Sequence, residues 1–494
     1  MLTNVPRKYF RETGAASQRT RTTGSHLHRT GSACARTITS NAKPPTGFYP
    51  SRLLDVENLQ SPKLVYRDEI AKTGDPYVVL SYVWGPAVWS PDQVYGYTLT
   101  TLSQEQLRVG LDTVLLPKAL KVSVEVTAKL GFRYLWIDAP CILQDVPEDL
   151  AVELAQMATI YKHAAATIVA ASSPSLDRGF LLPPQGLHPD DRGTSFHLGD
   201  TTIQPFLNEP ILSRAWCLQE DIMSYRRLFF TTESISWHYM ECIIDYNGIG
   251  EPYLPPFLSF CRAATKSECD SNEIYARWVN IRTEYCARIL TYAGDKLNAI
   301  SAVASEVART TVWTYLAGLW RECLADDLLC VAGGDICSIY EPRARRPFEF
   351  EVLDCQVELG GRDPFGSVKW GYLDVQGKVV ELGFRRVFSL ERMEYADLEL
   401  RSGAIATGSG EEGGLEDHEE NDIVAYGVAD PLDAPLSPNV RPLCLAVAEV
   451  LFREEIEGIM LLQDGDNGFR RVGYFCAYRP AIFQDVLQRV LRIS

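Results

Sequence analysis

The sequence predicts an α/β protein: an open, mostly parallel sheet with crossover helices, followed by a helical region and a β-rich C-terminal region. Three observations predict it. Between residues 77 and 172, short apolar runs alternate with amphipathic stretches. Residues 272–330 repeat apolar side chains at helical spacing, at Ile274, Trp278, Ile281, Tyr285, Ile289 and Tyr292. Residues 348–386 and 440–478 look like alternating strands. Apolar runs separated by helical stretches call for parallel strands joined by crossover helices.

The elements follow in chain order. Residues 1–45 hold eight Lys or Arg against one acid, Glu12, with few apolar side chains, and are expected to form a disordered basic tail. A mitochondrial presequence is the alternative, although the arginines from Arg19 onward lie among Gly and Thr and make no amphipathic helix. The α/β domain is expected over 46–245, beginning with "FYPSRLLDV" (48–56). Residues 77–83 read as a buried strand, and 117–130 as a helix with Pro117 in its first turn and Gly131 just past its end. "RYLWID" (133–138) reads as a second strand. Pro147, Glu148 and Asp149 open a helix that places Leu150, Leu154, Met157 and Tyr161 on one face. "AATIVAAS" (165–172) is a third strand. From Ser213, which is placed to cap it, "SRAWCLQEDIM" reads as a helix, followed by the strands "RRLFF" and "SISWHYM". Residues 246–345 form the expected helical region and 346–494 the β-rich one, with a closing helix at 481–493 and a disordered acidic insert at 407–422, "TGSGEEGGLEDHEEND".

A net charge of -16 over 494 residues disfavours a protein that grips nucleic acid, because phosphate neutralisation needs a concentrated basic surface. No apolar run is long enough to span a membrane, and the apolar core of a secretory signal is missing. Thirteen cysteines without CxxC pairs read as reduced thiols, so an intracellular, cytoplasmic protein is expected. No metal is expected: the close histidine pair, His26 and His28, lies in the basic tail, and no Cys or carboxylate cluster has ligand spacing. Neither a GxGxxG after a strand nor a GxxxxGK[ST] occurs.

Among chemistry-bearing residues, Cys141 lies past a strand end with His163 one helix later, which reads either as a core thiol or as a Cys–His nucleophile. In "SRAWCLQE", Trp216 and Glu220 are four residues apart on a helix, placing an aromatic plate beside a carboxylate. That pair suits glycosidic cleavage, where a planar leaving group stacks and a carboxylate steadies an oxocarbenium-like cation. The alternative is a structural tryptophan with Glu220 paired to Arg226 or Arg227. Asp138, at a strand end, reads as a turn cap or as a partner for a ribose hydroxyl.

Three blocks, "YVVLSYVWG" (77–85), "LGFRYLWIDAPCILQD" (130–145) with the following "AQMATIYKHAAATIVAASS", and "SRAWCLQE" (213–220), resemble in order and spacing the fungal heterokaryon incompatibility (HET) domain. Pro140 departs from the small residue usual in the second block. HET domains are considered remote relatives of TIR domains, so the resemblance implies a flavodoxin/TIR-like sheet and a role in non-self recognition leading to programmed cell death. In NAD-cleaving TIR domains the matching glutamate is catalytic, which implies that role for Glu220, with NAD as substrate and no bound cofactor. Tyr82, Trp84 and Gly85 would then line the mouth of a nucleotide cleft, Gly85 letting backbone approach a phosphate, with Trp216 or Trp84 stacking the base and Asp138 near the ribose. The other implied role is a non-catalytic module acting by self-association or with a separate incompatibility partner.

Overall fold

The computed structural model describes residues 47–85, 96–181, 197–198, 201–202, 209–232, 235–239, 242–245, 250–251, 271–329, 345–361, 363–387, 397–401, 423–429, 442–450, 455–465 and 468–494. The basic tail at 1–45 and the acidic insert at 407–422 lie outside them. Contacts divide the chain into two units: one runs to Trp278 and resumes over Arg288–Val307, the other comprises Val279–Ala287 and Ala308–Ser494.

In the first unit the strands are β1 (Arg52–Asp55), β2 (Lys63–Tyr66), β3 (Tyr77–Ser81), β4 (Tyr134–Trp136), β5 (Ala166–Val169), a short hairpin of β6 (His197–Leu198) and β7 (Thr201–Thr202), then β8 (Arg226–Phe230), β9 (Ile235–Tyr239), β10 (Cys242–Asp245) and β11 (Gly250–Glu251). The helices that matter to the site are α1 (Arg67–Thr73), α2 (Gln104–Val109), α3 (Lys118–Lys129), α4 (Asp138–Cys141), α5 (Pro147–His163) and α6 (Ala215–Met223); of the following α7 (Ser271–Cys286) and α8 (Ser301–Thr310), only the residues up to Trp278 and up to Val307 belong to this unit.

Nine strands form one sheet in the order β11-β10-β9-β8-β5-β3-β4-β1-β2. Its centre is parallel, β3 pairing with β4 and β5, and β5 with β8, while both flanks are antiparallel. The parallel order is therefore second, first, third, fourth in chain sequence, and the connections part at β3 and β5. Open sheets of this kind bind ligands in the crevice at such a switch point, outside the carboxyl ends of the strands.

Central position explains the composition of β3. All five of its residues are buried, as a strand covered on both faces requires, and burying each Val or Leu there contributes about 1.5–3 kcal/mol. The strand stops at Ser81 rather than 83, and beyond it the Tyr82 and Trp84 side chains both bond Asp138. β4 is likewise shorter than 133–138: Asp138 opens the one-turn α4, within which Pro140 is accommodated. In α5, Pro147 occupies the first turn and Glu148 and Asp149 face the helix N-terminus. Its buried face is Glu153, Met157, Ile160 and Tyr161, with Leu150 and Leu154 half-buried. Glu153 is inside because Arg52 bonds both it and Asp149.

The second unit holds a small hairpin, β12 (Tyr315–Leu316) with β13 (Leu319–Trp320), the helix α9 (Leu324–Leu328), and the strands β14 (Arg345–Pro347), β15 (Glu351–Leu359), β16 (Val368–Glu381), β17 (Gly383–Val387), β18 (Asp397–Arg401), β19 (Ile423–Ala429), β20 (Leu443–Val450), β21 (Glu455–Asp464), β22 (Gly468–Ala477) and β23 (Gln488–Ile493). Pairings run β16 to β20 to β21 to β22 to β23 and back to β16, closing a ring around Val375, Val379, Leu445, Val447, Ile459, Leu461 and Leu491. The expected closing helix at 481–493 is a 3-10 turn, Pro480–Phe483, and then β23. Leu491 and Ile493 are buried with Arg492 exposed between them, a period of two that pairing with β16 imposes.

Among the described residues no helix is long and apolar enough to cross a membrane.

Candidate functional site

Four segments of the first unit converge at the carboxyl ends of the parallel strands: Ser81–Gly85 after β3, Asp138 after β4, Ala170–Ser175 after β5, and the start of α6. β3 delivers Ser81, whose hydroxyl donates to Glu220 Oε2 at 2.5 Å. Glu220 is brought there by α6, whose inner face buries Cys217, Leu218 and Glu220, the last only 6 % exposed. Tyr161, from α5, donates its hydroxyl to Leu80 O at 3.1 Å and also bonds Glu220.

Asp138 collects the aromatic residues. Its Oδ1 accepts the Tyr82 hydroxyl at 2.5 Å and the Ala139 N–H at 2.8 Å, and its Oδ2 accepts Trp84 Nε1–H at 2.7 Å. The two rings lie stacked, 6.2 Å apart and 16° from parallel. Asp138 is the first residue of its helical turn, whose N-cap is Ile137, and its carboxylate accepts the next amide while holding Tyr82 and Trp84. Gly85, at φ +88°, lies so close to the β5 loop that a Cβ there would stand 2.4 Å from Ser175 Cβ. Its lack of a side chain serves this approach of backbone to backbone.

The electrostatics follow from burial. It pushes the Glu220 carboxyl up to about 7, against Arg214, the Ser81 and Tyr161 hydroxyls that favour the anion, and with Asp138, which disfavours it. Tyr82 is raised well above its usual value, by burial first and then by the Asp138 charge beside it. Arg214 is held above its usual value: burial opposes its charge, and Cys217, Asp138, Glu220 and Tyr82 more than offset that.

Several expectations are redistributed. Ser213 belongs to a 3-10 turn, Pro210–Ser213, and donates its hydroxyl to Pro210 O; the residue at the α6 N-cap is Arg214. Trp216 is half-buried and donates Nε1–H to Asp295 at 3.3 Å. Neither Arg226 nor Arg227 serves Glu220: Arg227 pairs with Asp221 and Arg226 reaches Ala165 O. Cys141 and His163 are not brought together as a nucleophile pair. Cys141 is fully buried with its thiol pushed up to about 12 by burial, and His163 Nδ1 bonds Thr159 O. Ser172, beyond the end of β5, joins β8 through its N–H to Phe230 O, and its buried hydroxyl has no hydrogen-bond partner among the described residues.

Ser81, Tyr161, Arg214 and Asp295 were not singled out by sequence reasoning. Arg214 and Ser81 stood within the motifs quoted, one residue into "SRAWCLQE" and at the end of "YVVLS", where two polar residues interrupt otherwise apolar runs. Among the described residues, no group of three or more His, Cys, Asp or Glu side chains is arranged to hold a metal ion.

Residues 77–220 match the family model described as heterokaryon incompatibility protein (HET). The matched segment begins at the first residue of β3 and ends on Glu220 itself. No curated protein and no solved structure matches the chain.

Proposed function

We propose that this chain acts in heterokaryon incompatibility as a cytoplasmic cell-death effector, and that its α/β unit hydrolyses NAD at the nicotinamide–ribose bond. The family match over residues 77–220 supports the first part. The observation that carries the second is the convergence of Glu220, Asp138, Tyr82 and Trp84 at the carboxyl ends of β3 and β4. The strand order of the parallel centre is that of flavodoxin-like sheets, which supports a TIR-like reading.

In the reaction, the bond between ribose C1′ and the pyridinium nitrogen breaks and its electrons leave with nicotinamide. Water supplies the new C1′–O bond and releases a proton, giving ADP-ribose. Ionised Glu220 stabilises the ribosyl cation, and Trp84 or Trp216 stacks on a base. With its carboxyl near 7, Glu220 is ionised in about half the molecules at neutral pH, so turnover should rise with pH through that value.

A second reading, a non-catalytic module that self-associates or engages a separate partner, is favoured by the 6 % exposure of Glu220 and its two hydroxyl partners. Purified full-length chain, dilute and concentrated, separates the two when incubated with NAD. The catalytic reading expects NAD loss that falls about a hundredfold or more in Glu220→Gln. Intact NAD at both concentrations leaves the interaction module.

A further inference from the structure

Arg214 is a group at this site that the proposed reaction does not yet use. Its backbone is pinned: Ile289 N–H donates to Ser213 O at 2.6 Å and Ala215 N–H to Ile289 O at 3.0 Å, bridging Arg214 to Ile289. Its side chain is half-buried in the field of Glu220, Asp138, Tyr82 and Asp295. Yet among the described residues its guanidinium makes no hydrogen bond and no ion pair.

The acids around it are already committed to neutral donors: Glu220 to Ser81 and Tyr161, Asp138 to Tyr82, Trp84 and Ala139, Asp295 to Trp216. A guanidinium carries five N–H donors in a planar fork that fits carboxylate or phosphate oxygens in pairs. Leaving such a fork unbonded in a half-buried position is costly unless something else fills it. Arg288 adds a second tie to the Arg214 backbone, donating to Arg214 O at 3.4 Å. The Ser172 hydroxyl, without a partner among the described residues, follows Ala171, whose carbonyl accepts Ile211 N–H.

We infer that Arg214 anchors the phosphate end of the ligand, a nucleotide diphosphate, at the carboxyl edge of the parallel strands. The carboxylates would then face the positively charged end of the same molecule. Only the identity of the ligand as NAD rests on the function proposed above; the anion site stands on the unbonded guanidinium.

The test uses the full chain with inorganic pyrophosphate, NAD and nicotinamide riboside, which lacks phosphate, in calorimetric titrations of wild type and Arg214→Gln. Pyrophosphate and NAD should each bind about ten- to a hundredfold more weakly to the variant, with nicotinamide riboside unchanged. Should the variant not fold, phenylglyoxal labelling of the wild-type chain decides: pyrophosphate should protect Arg214 and nicotinamide riboside should not. Unchanged pyrophosphate affinity in a folded variant, no pyrophosphate binding by wild type, or labelling of Arg214 indifferent to pyrophosphate would each overturn the anion site. Arg214-dependent pyrophosphate binding without NAD cleavage keeps the site and removes the NAD-cleaving reading. NAD cleavage unaffected by Arg214→Gln does the reverse.

Discussion

The Ser81 hydroxyl donates to Glu220 Oε2 at 2.5 Å, so the last residue of a central strand and the helix before β8 share one buried bond. Burial lifts the Glu220 carboxyl from 4.5 to about 7. Between those values the folded chain keeps a proton that the unfolded chain has released. Stability is therefore lost as pH rises from about 4.5 to about 7, by on the order of 3 kcal/mol, and changes no further above that. Glu220→Gln removes this titration. Urea midpoints from pH 4.5 to 8 should show the variant gaining on wild type across that window; a gap independent of pH contradicts the buried-carboxyl account.

Replacing Asp138 by Ala strands the Tyr82 hydroxyl, the Trp84 indole N–H and the Ala139 amide. With Tyr82 4 % exposed, the loss should reach about 2 kcal/mol or more, and Asp138→Asn, which keeps a carbonyl acceptor, should lose less. Chemical denaturation gives both numbers, and equal stability of the Ala and Asn variants would show that these bonds contribute little.

How much of this was legible in the sequence depends on distance along the chain. The strand at β3 was readable because five consecutive residues face cores on both sides, and apolar character then needs no partner to be recognised. The end of β4 was misread by two residues because Asp138 continues the run in sequence but starts a helical turn in space. The closing strand β23 was read as a helix because 13 residues without Gly carry apolar side chains at spacings that fit either period; pairing with β16 chooses. The motif "SRAWCLQE" pointed to Glu220, yet its partners lie 139 and, for Tyr161, 59 residues away, and only the parallel register brings them there. Spacing of four on a helix likewise says that Trp216 and Glu220 are neighbours, but not that Asp295 holds the indole.

Gly85 and Gly74 make a controlled pair. Both have positive φ, +88° and +70°, but a Cβ on Gly74 meets nothing within 4 Å whereas one on Gly85 meets Ser175. Gly74→Ala should cost about 1 kcal/mol from backbone strain alone, and Gly85→Ala clearly more, above about 2 kcal/mol, because backbone must shift. Denaturation midpoints compare them directly; equal losses would mean that the β5 loop yields freely.

Thiol chemistry sorts the cysteines by exposure. Cys141, Cys217 and Cys444 are buried with thiols raised by burial, while Cys286 is exposed. Iodoacetamide at pH 8 should modify Cys286 in the native chain and leave those three until urea is added. Rapid native labelling of Cys141 would revive it as a nucleophile.

The first unit is not continuous in sequence. Residues 288–307 return to it after Val279–Ala287 have joined the other unit, and they carry Ile289, which pins the backbone around Arg214, Asp295, which holds Trp216, and Ala302, whose N–H donates to Gln219. The segment that matches the family model ends 68 residues before Arg288. A gene fragment trimmed to that match would therefore express strands and helix without the wall that orients α6. Loss of function in such a truncation reports an incomplete scaffold, and the shortest fragment able to present Glu220 and Arg214 correctly extends through Val307.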